Sequence, residues 1–489
     1  MWEVGKIAAI QTEYKAHPLI IFSYLKPYIF VLLIPAAQGL LSYLRHGALT
    51  TLIVGEAITA AVILALSVAK FLRCRLVLGG GRIIVTEGVL LRTRSVIPVD
   101  KISSTFIRTG PLLRLTGAVE VRLSTEAGRP GKPDFKIIMP RSVAPDLYEL
   151  FPPDMGEVVQ FHPPAKRLII MAAATSNSAT GLLIAAPIIS HTGKLLGAGI
   201  TERVYGTLNE MVAGAENTAG VLIPPIAGYI ALTLLIGFGI SFFISVFKNL
   251  PFKMTRRGNN LTVVAGLIMK RHIRFQISMV NSISITQNPV MMFLRRYNVG
   301  ISIAGYGSDY KGGETAMIIP AAQSDEVYAL CRGLLPNIRP QPLGLRHPAC
   351  ALRKFCTPPA LLLGIIPVVA GLLSLWAAHF SDLIWFLALV AEGLDLVFIV
   401  ICVRKFRRGG LSIGEEFCAS GARMFNMVEL HCNDDNCGYL RVTEYPWDKR
   451  GGLCRVKLSV RSENAESLNI PFLETEAVLQ ALQNKYGAL

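Results

Sequence analysis

The chain has 489 residues, 52% of them hydrophobic and only 17% charged, against about 25% charged in an average globular domain. Its mean hydropathy is +0.46, which excludes a disordered chain, a coiled coil and a disulfide-stapled mini-domain, and argues against an ordinary soluble enzyme. The 49 Lys and Arg outweigh the 33 Asp and Glu by 16 charges, an excess that suits nucleic acid, an anionic lipid surface or a membrane-orientation signal, and where the basic residues sit decides among them. Nine Cys are too sparse for a disulfide framework and leave one thiol over, so a reducing compartment is expected for most of them.

Residues 1–27 are read as a cytoplasmic N-terminal segment, and because Met1–Lys26 shows no apolar core followed by a small-residue cleavage site, no removed leader is expected there. Six apolar stretches follow along the chain, Tyr28–Leu44, Thr51–Ala69, Leu168–Ile189, Val221–Phe247, Ala360–Ala378 and Leu383–Cys402. Each is near the roughly 20 residues that cross a hydrocarbon core of about 30 Å. They pair into three hairpins, at 28–69, 156–247 and 339–403. Basic residues crowd the far end of each pair: Lys70, Arg73 and Arg75; Lys248, Lys253, Arg256 and Arg257; Arg404, Lys405, Arg407 and Arg408. The connecting turns are poor in net positive charge, including the loop 190–220. The asymmetry predicts that both termini and the soluble stretches 70–155, 248–338 and 404–489 face the cytoplasm, with 190–220 outside. Most of the basic excess is thereby a topology signal, and no nucleic-acid partner is expected. In the outer loop, Ile200, Val204, Leu208 and Val212 fall every four residues, the spacing of an amphipathic helix lying on the outer membrane surface or of an ordinary extracytoplasmic loop helix.

The soluble stretches repeat. His17-Pro18, His162-Pro163 and His347-Pro348 each precede an apolar pair, and Pro holds its neighbour extended where the chain enters the bilayer. Ile102-Ser103-Ser104 aligns with Val280-Asn281-Ser282, and Pro111-Leu112-Leu113 with Pro289-Val290-Met291. Short apolar strands at Phe135–Met139 and Ala316–Ile319 end at Pro140 and Pro320, and helical segments Ser142–Phe151 and Ser324–Leu335 follow. The third stretch diverges, with Pro446 matching Pro111, a last strand at Ser467–Phe472 and a closing helix at Glu474–Tyr486. Val119, Val121 and Leu123 alternate with Glu120 and Arg122, the pattern of a strand with one face in and one out. Gly79-Gly80-Gly81 and Gly258-Asn259-Asn260 read as turns. Each stretch is predicted to be a small β domain closed by one C-terminal helix.

The segment Val96-Ile97-Pro98-Val99-Asp100-Lys101-Ile102, followed by Gly110-Pro111-Leu112-Leu113-Arg114-Leu115-Thr116-Gly117-Ala118-Val119-Glu120-Val121, resembles the bacterial membrane pleckstrin-homology-like domain family. The resemblance extends over three tandem copies, with Asp435-Asn436-Cys437 in place of Asp-Lys-Ile in the third. It implies a fold of two packed antiparallel sheets, about seven strands in all, with one helix across an open end. It carries no catalytic residue over. The fold class is then an α+β membrane protein: six transmembrane helices in three hairpins, each followed by a cytoplasmic PH-like β domain with a C-terminal helix.

Three acids stand inside apolar spans: Glu56 in the second, and Glu392 and Asp395 three apart on one face of the sixth. An intramembrane acid costs about 2.5–3.5 kcal/mol on insertion scales, so it is expected in the bundle interior or a wet cavity, as a proton or cation site, a subunit contact or a structural acid. The basic clusters beyond the spans are candidates for contact with lipid headgroups. His431, Cys432 and Cys437, near Asp434 and Asp435, lack zinc spacing, and Gly79-Gly80-Gly81 lacks the Lys-Ser/Thr of a phosphate loop. No metal, cofactor or catalytic constellation is expected. The leading expectation is a non-enzymatic inner-membrane scaffold that binds protein, peptide or lipid partners, or a second copy of itself, in an envelope-stress or export setting. The alternatives are a transporter or ion-conducting bundle that uses the three acids and, behind it, a lipid-modifying enzyme.

Overall fold

The computed structural model describes residues 12–28, 49–89, 91–125, 133–149, 158–179, 225–303, 316–338, 342–423, 425–461 and 466–487, together with the single residues 37, 156, 206 and 210. The first expected span beyond Tyr28, most of the third, the loop 190–220 and its expected amphipathic helix lie outside the described residues.

The described strands fall into three runs of seven. The first copy has β1 (Thr12–Lys15), α1 (Ile20–Leu25), α2 (Leu49–Arg73), β2 (Arg75–Gly79), β3 (Arg82–Glu87), β4 (Thr93–Pro98), β5 (Ile102–Thr109), α3 (Pro111–Leu115), β6 (Ala118–Thr125), β7 (Phe135–Pro140) and α4 (Val143–Glu149). The second has β8 (Val158–Phe161), α5 (Ala165–Thr175), α6 (Pro225–Asn249), β9 (Phe252–Arg257), β10 (Asn260–Ala265), β11 (Lys270–Gln276), β12 (Val280–Gln287), α7 (Pro289–Phe293), β13 (Arg296–Ile303), β14 (Ala316–Gln323) and α8 (Ser324–Leu334). The third has β15 (Leu345–Arg346), α9 (Ala351–Trp376), α10 (Ser381–Arg408), β16 (Gly410–Ile413), β17 (Glu416–Arg423), β18 (Asn426–Asn433), β19 (Cys437–Thr443), α11 (Pro446–Lys449), β20 (Leu453–Val460), β21 (Ser467–Glu474) and α12 (Thr475–Tyr486). Each copy turns from its fourth to its fifth strand through a 3₁₀ turn, at Val99–Lys101, Ile277–Met279 and Asp434–Asn436. The divergent Asp435-Asn436-Cys437 of the third copy thus keeps the backbone role of Asp100-Lys101-Ile102. Pro111, Pro289 and Pro446 each open a short helix at its first turn, where Pro needs no N–H donor and its φ is already helical.

Among the described residues, four helices are long and apolar enough to cross a membrane, within α2, α6, α9 and the segment Ala378–Arg408 that ends with α10. They correspond to the second, fourth, fifth and sixth expected spans. The third expected span is not one helix from Leu168: α5 ends at Thr175, Ser176 is extended, and Leu168, Met171 and Ala172 are buried. Met171 packs with Met291 and Ala321, so this apolar stretch begins as a helix on the β domain. The expected strand end at Pro320 is also corrected, because β14 runs on to Gln323 through Ala321 at φ +41°. Phe472, after Pro471 in β21, repeats that left-handed residue.

The strand just before each His-Pro belongs to a sheet. β1 pairs with β2 across the first apolar pair, Thr12 opposite Leu78, and β15 pairs with β16 across the third, Leu345 opposite Leu411. The apolar pair is thus inserted between the first two strands of its β domain.

The sheets do not follow the copies. The strand orders are β1-β2-β3-β4, then β7-β6-β5-β11-β10-β9-β8, then β14-β13-β12-β18-β17-β16-β15, then β19-β20-β21. The last three strands of one copy share a sheet with the first four of the next. Two compact units result: 1–160 with 253–279 and 303–311, and 161–252 with 280–302 and 312–489. In the first unit, Leu76, Ile83 and Ile97 of one sheet meet Ile107, Val121 and Met139 of the other, closed by Val143 and Leu147 of α4. In the second unit, Phe417, Leu430 and Cys432 meet Val456, Leu458 and Ile470, closed by Val478 and Leu482 of α12.

Candidate functional site

The second unit carries a cleft of about 300 Å³, formed on the face of the β12–β18 sheet that α8 borders. Its lining includes Gln287 at the end of β12, Tyr297 on β13, Tyr328 on α8, Arg346 on β15, Arg407 and Arg408 at the foot of α10, and Glu429 on β18. Strand alternation selects this face. Ile285 pairs with Glu429 and Ile283 with His431 across the β12–β18 ladder, while Leu430 and Cys432 point the other way into the third copy's core.

The cleft floor is a hydrogen-bonded network. Tyr328 donates its hydroxyl to Glu429 Oε1 at 3.0 Å, and His431 Nε2 lies 2.8 Å from the same oxygen. Burial would raise the Glu429 pKa, but the His431 and Tyr328 hydrogen bonds and the charge of Arg408 outweigh it and hold the carboxyl below its ordinary range. Burial, then the Glu429 charge, pushes the Tyr328 phenol up. The floor is therefore one anion, shielded by a phenol and an imidazole.

The rim is cationic. Arg408 donates to Gln287 Oε1 at 2.9 Å and to the Tyr297 hydroxyl at 2.7 Å, with its guanidinium 5.8 Å from the Tyr297 ring centre. Those two hydrogen bonds lock one rim cation in position. Arg346 and Arg407 are exposed, and their side chains make no hydrogen bond or ion pair among the described residues. Two unspent guanidiniums line the same cleft as the fixed one, and each presents a planar fork of donors suited to phosphate or carboxylate.

The sequence-predicted basic residues divide. Lys70 faces Glu87 at 3.8 Å, Arg73 donates to the Val89 carbonyl and Arg75 pairs with Glu13 at 2.6 Å. Arg404 donates to the Met292 carbonyl, Arg256 to the Gly258 carbonyl, and Lys405 lies over the Phe398 ring. Lys253 and Arg257 are exposed on one face of β9 and, like Arg407, have no ion pair among the described residues, while exposed Lys248 has a contact of its own. Only Arg407 and Arg408 of the eleven line the cleft. Sequence reasoning missed Arg346, Gln287, Tyr297, Tyr328 and Glu429. The one signal available for Arg346 was its place beside His347-Pro348, and the others lie on separate elements with no shared motif.

Of the three intramembrane acids, Asp395 is 5% exposed and its Oδ2 has no hydrogen-bond partner among the described residues. Glu392, one turn away, is half-buried, and Glu56 is half-buried on α2 of the other unit.

The metal question moves. His431 and Cys432 are neighbours in sequence but face opposite sides of β18, so the spacing weighed on sequence does not gather. Instead Cys418, Glu429 and His431 bring ligand-type atoms within 4.8 Å of one another. Cys418 and His431 are directly paired across β17 and β18. Burial pushes the Cys418 thiol well up, away from the thiolate a metal requires, and Glu429 is already satisfied by Tyr328 and His431.

Among known protein families, the one described as Bacterial PH domain matches residues 28–151 and 211–335, within the first two copies. No curated protein and no solved structure matches the chain.

Proposed function

The chain belongs to the bacterial PH domain family, and from that premise we propose that it is a non-enzymatic inner-membrane scaffold whose tandem PH-like domains engage anionic lipid headgroups. The observation that carries this reading is the cleft at the foot of α10, with Arg346 and Arg407 unspent and Arg408 held by Gln287 and Tyr297. A basic residue near a charged leaflet contributes about 1 kcal/mol, and the planar fork of each guanidinium adds geometry to that attraction. In this reading six helices cross in three hairpins, both termini and the β domains are cytoplasmic, and the cleft opens at headgroup depth. A reporter fused at residue 130 or 310 should report the cytoplasm, and an outside signal at either removes the orientation. For the ligand, the full chain is extracted with its bound lipid and the lipid is quantified by mass spectrometry. Anionic phospholipid should be enriched over the bulk membrane, and the enrichment should fall about threefold or more in Arg346→Ala/Arg407→Ala. Equal enrichment in parent and variant would sink the headgroup reading.

A second reading, proton or cation passage along the α9–α10 hairpin, is favoured by buried Asp395, whose Oδ2 has no hydrogen-bond partner among the described residues. Proteoliposome flux should then be lost in Asp395→Asn and reduced in Glu392→Gln. Flux absent in the parent as well removes this reading and leaves the scaffold untouched.

A further inference from the structure

Two internal junctions build the chain's long sheets, and they obey one rule. In the first, β5 pairs with β11 from Ser104 opposite Phe275 to Thr109 opposite Lys270. In the second, β12 pairs with β18 from Ser282 opposite Cys432 to Gln287 opposite Met427. Each copy's 3₁₀ turn supplies a common ruler. In both junctions the third residue after one copy's turn faces the second residue before the next copy's turn. The eighth after faces the seventh before. The register is identical.

Applied to the ends of the chain, the rule leaves one strand of each kind over. β4 corresponds to β11 and β18, and it stands at the edge of its four-stranded sheet. β19 corresponds to β5 and β12, and it stands at the edge of its three-stranded sheet. β5 and β19 also share a register shift just after the turn, at Ile102/Ser104 and Cys437/Tyr439. Burial marks the missing neighbour. Ser104 and Ser282, third after their turns, are 3% and 0% exposed, whereas Tyr439 at the same offset is 43% exposed. On the other edge Val96 is 50% exposed, and its equivalent on β18, His431, is 1% exposed.

We propose that β19 of one chain pairs antiparallel with β4 of a second copy, extending between molecules the junction that the chain twice makes within itself. The shared register sets Tyr439 opposite Ile97, Leu440 opposite Val96, Arg441 opposite Ser95, Val442 opposite Arg94, Thr443 opposite Thr93, and Glu444 opposite Arg92. The last is a pair of exposed opposite charges. At the same offset the internal junctions have Thr109 with Lys270 and Gln287 with Met427, neither an ion pair. Pro98, which has no N–H to donate, is the residue just before its turn and falls outside the six pairs, as Gln276 and Asn433 do in the internal junctions. Each molecule offers one edge of each kind, so the contact is head-to-tail, and copies in one membrane close into a ring or run on as an array. The inference is independent of the headgroup reading.

The test uses two differently tagged full-length chains in one membrane, Ser95→Cys in one and Arg441→Cys in the other. Under mild oxidation a disulfide joining the two tags should form about fivefold more than with Arg94→Cys against Arg441→Cys, whose side chains fall on opposite faces in this register. The parent, with its nine native cysteines, sets the blank. Arg92→Glu should cut association of uncrosslinked chains about threefold or more, and adding Glu444→Arg should restore it. Both positions are exposed, so folding is spared, and native electrophoresis of each variant checks it. An inter-tag product no higher than the blank, a bond found only within single chains, or equal yield in both registers would overturn the proposal.

Discussion

Asp448 is 1% exposed, yet it is a carboxylate. It accepts from Lys354 Nζ at 2.7 Å and from Arg455 Nε at 3.2 Å, tying the first turns of α9 to α11. The two cations are about one-third exposed and can rehydrate when the carboxylate is removed, so the loss is that of charged hydrogen bonds, not of a wholly buried pair. Asp448→Asn should lower stability by about 1.5–3 kcal/mol, read from a denaturation curve of the full chain in detergent. A change within experimental scatter would mean the bond exchanges freely with water. Nearby, His347 Nδ1 lies 3.3 Å from the Phe472 carbonyl, its ring is packed by Phe355 and Phe406, and burial holds its pKa below the ordinary value. The unfolded chain then takes up the proton first. The stability from this group is intact above about pH 6.5 and is lost as the pH falls from there through the depressed folded value. His272, lowered by burial and Lys270, acts in the same direction. Melting temperature should therefore drop between pH 7.5 and pH 5.5, less steeply in His347→Gln than in the parent, and parallel slopes would exclude His347 as a source.

At the scale of elements, alternation was legible where one face of a strand is apolar and misleading where both faces are covered. On β6, Val119, Val121 and Leu123 are buried as expected. Glu120 and Arg122, expected outside, are also buried, at 8% and 4% exposed. They form an ion pair with each other, with Lys136 3.5 Å from Glu120 and the Phe106 ring 5.2 Å from Arg122. β6 lies between β5 and β7, and period-two reading assigns polar alternates to solvent without knowing what lies over the second face. A pair in such a place follows the asymmetry of buried charges. Glu120→Ala, which removes the carboxylate paired with Arg122, should cost about 3–5 kcal/mol, while Glu120→Leu/Arg122→Met should be close to neutral. A double variant as unstable as the single would show that the pair does more than satisfy itself. The strands before each His-Pro were beyond reach for another reason. β1 has four residues and β15 two, too few for any period to register. The cleft was illegible because its lining comes from separate elements, and only Arg407 and Arg408 lay in a run that composition picks out.

At the scale of the molecule, a sequence repeat and a folding unit differ. The repeats were legible because each copy restates the same turn, Pro-capped helix and closing helix. Sheet sharing was not, because a β ladder is made of backbone groups that every residue carries, and nothing in the side chains of β5 names β11 as its neighbour. The consequence is measurable. If copies were autonomous, a chain ended at residue 338 would be two complete domains. Instead it loses β15–β18, and with them the partner of β12, whose Ile283 and Ile285 are 0% and 4% exposed in the intact chain. An uncovered edge bearing two Ile two positions apart, on the same face, is a template for aggregation. The chain ended at 338 should accordingly show a larger aggregated fraction in detergent than the full chain, and faster proteolysis within 280–303 than within 102–125, where β11 still covers β5. Both segments are central strands in the full chain, so the difference between them isolates the missing junction from the general effect of shortening. Equal cleavage of the two segments, in a truncated chain as monodisperse as the parent, would mean that each copy folds on its own and that the long sheets are a consequence of tethering, not a condition of folding.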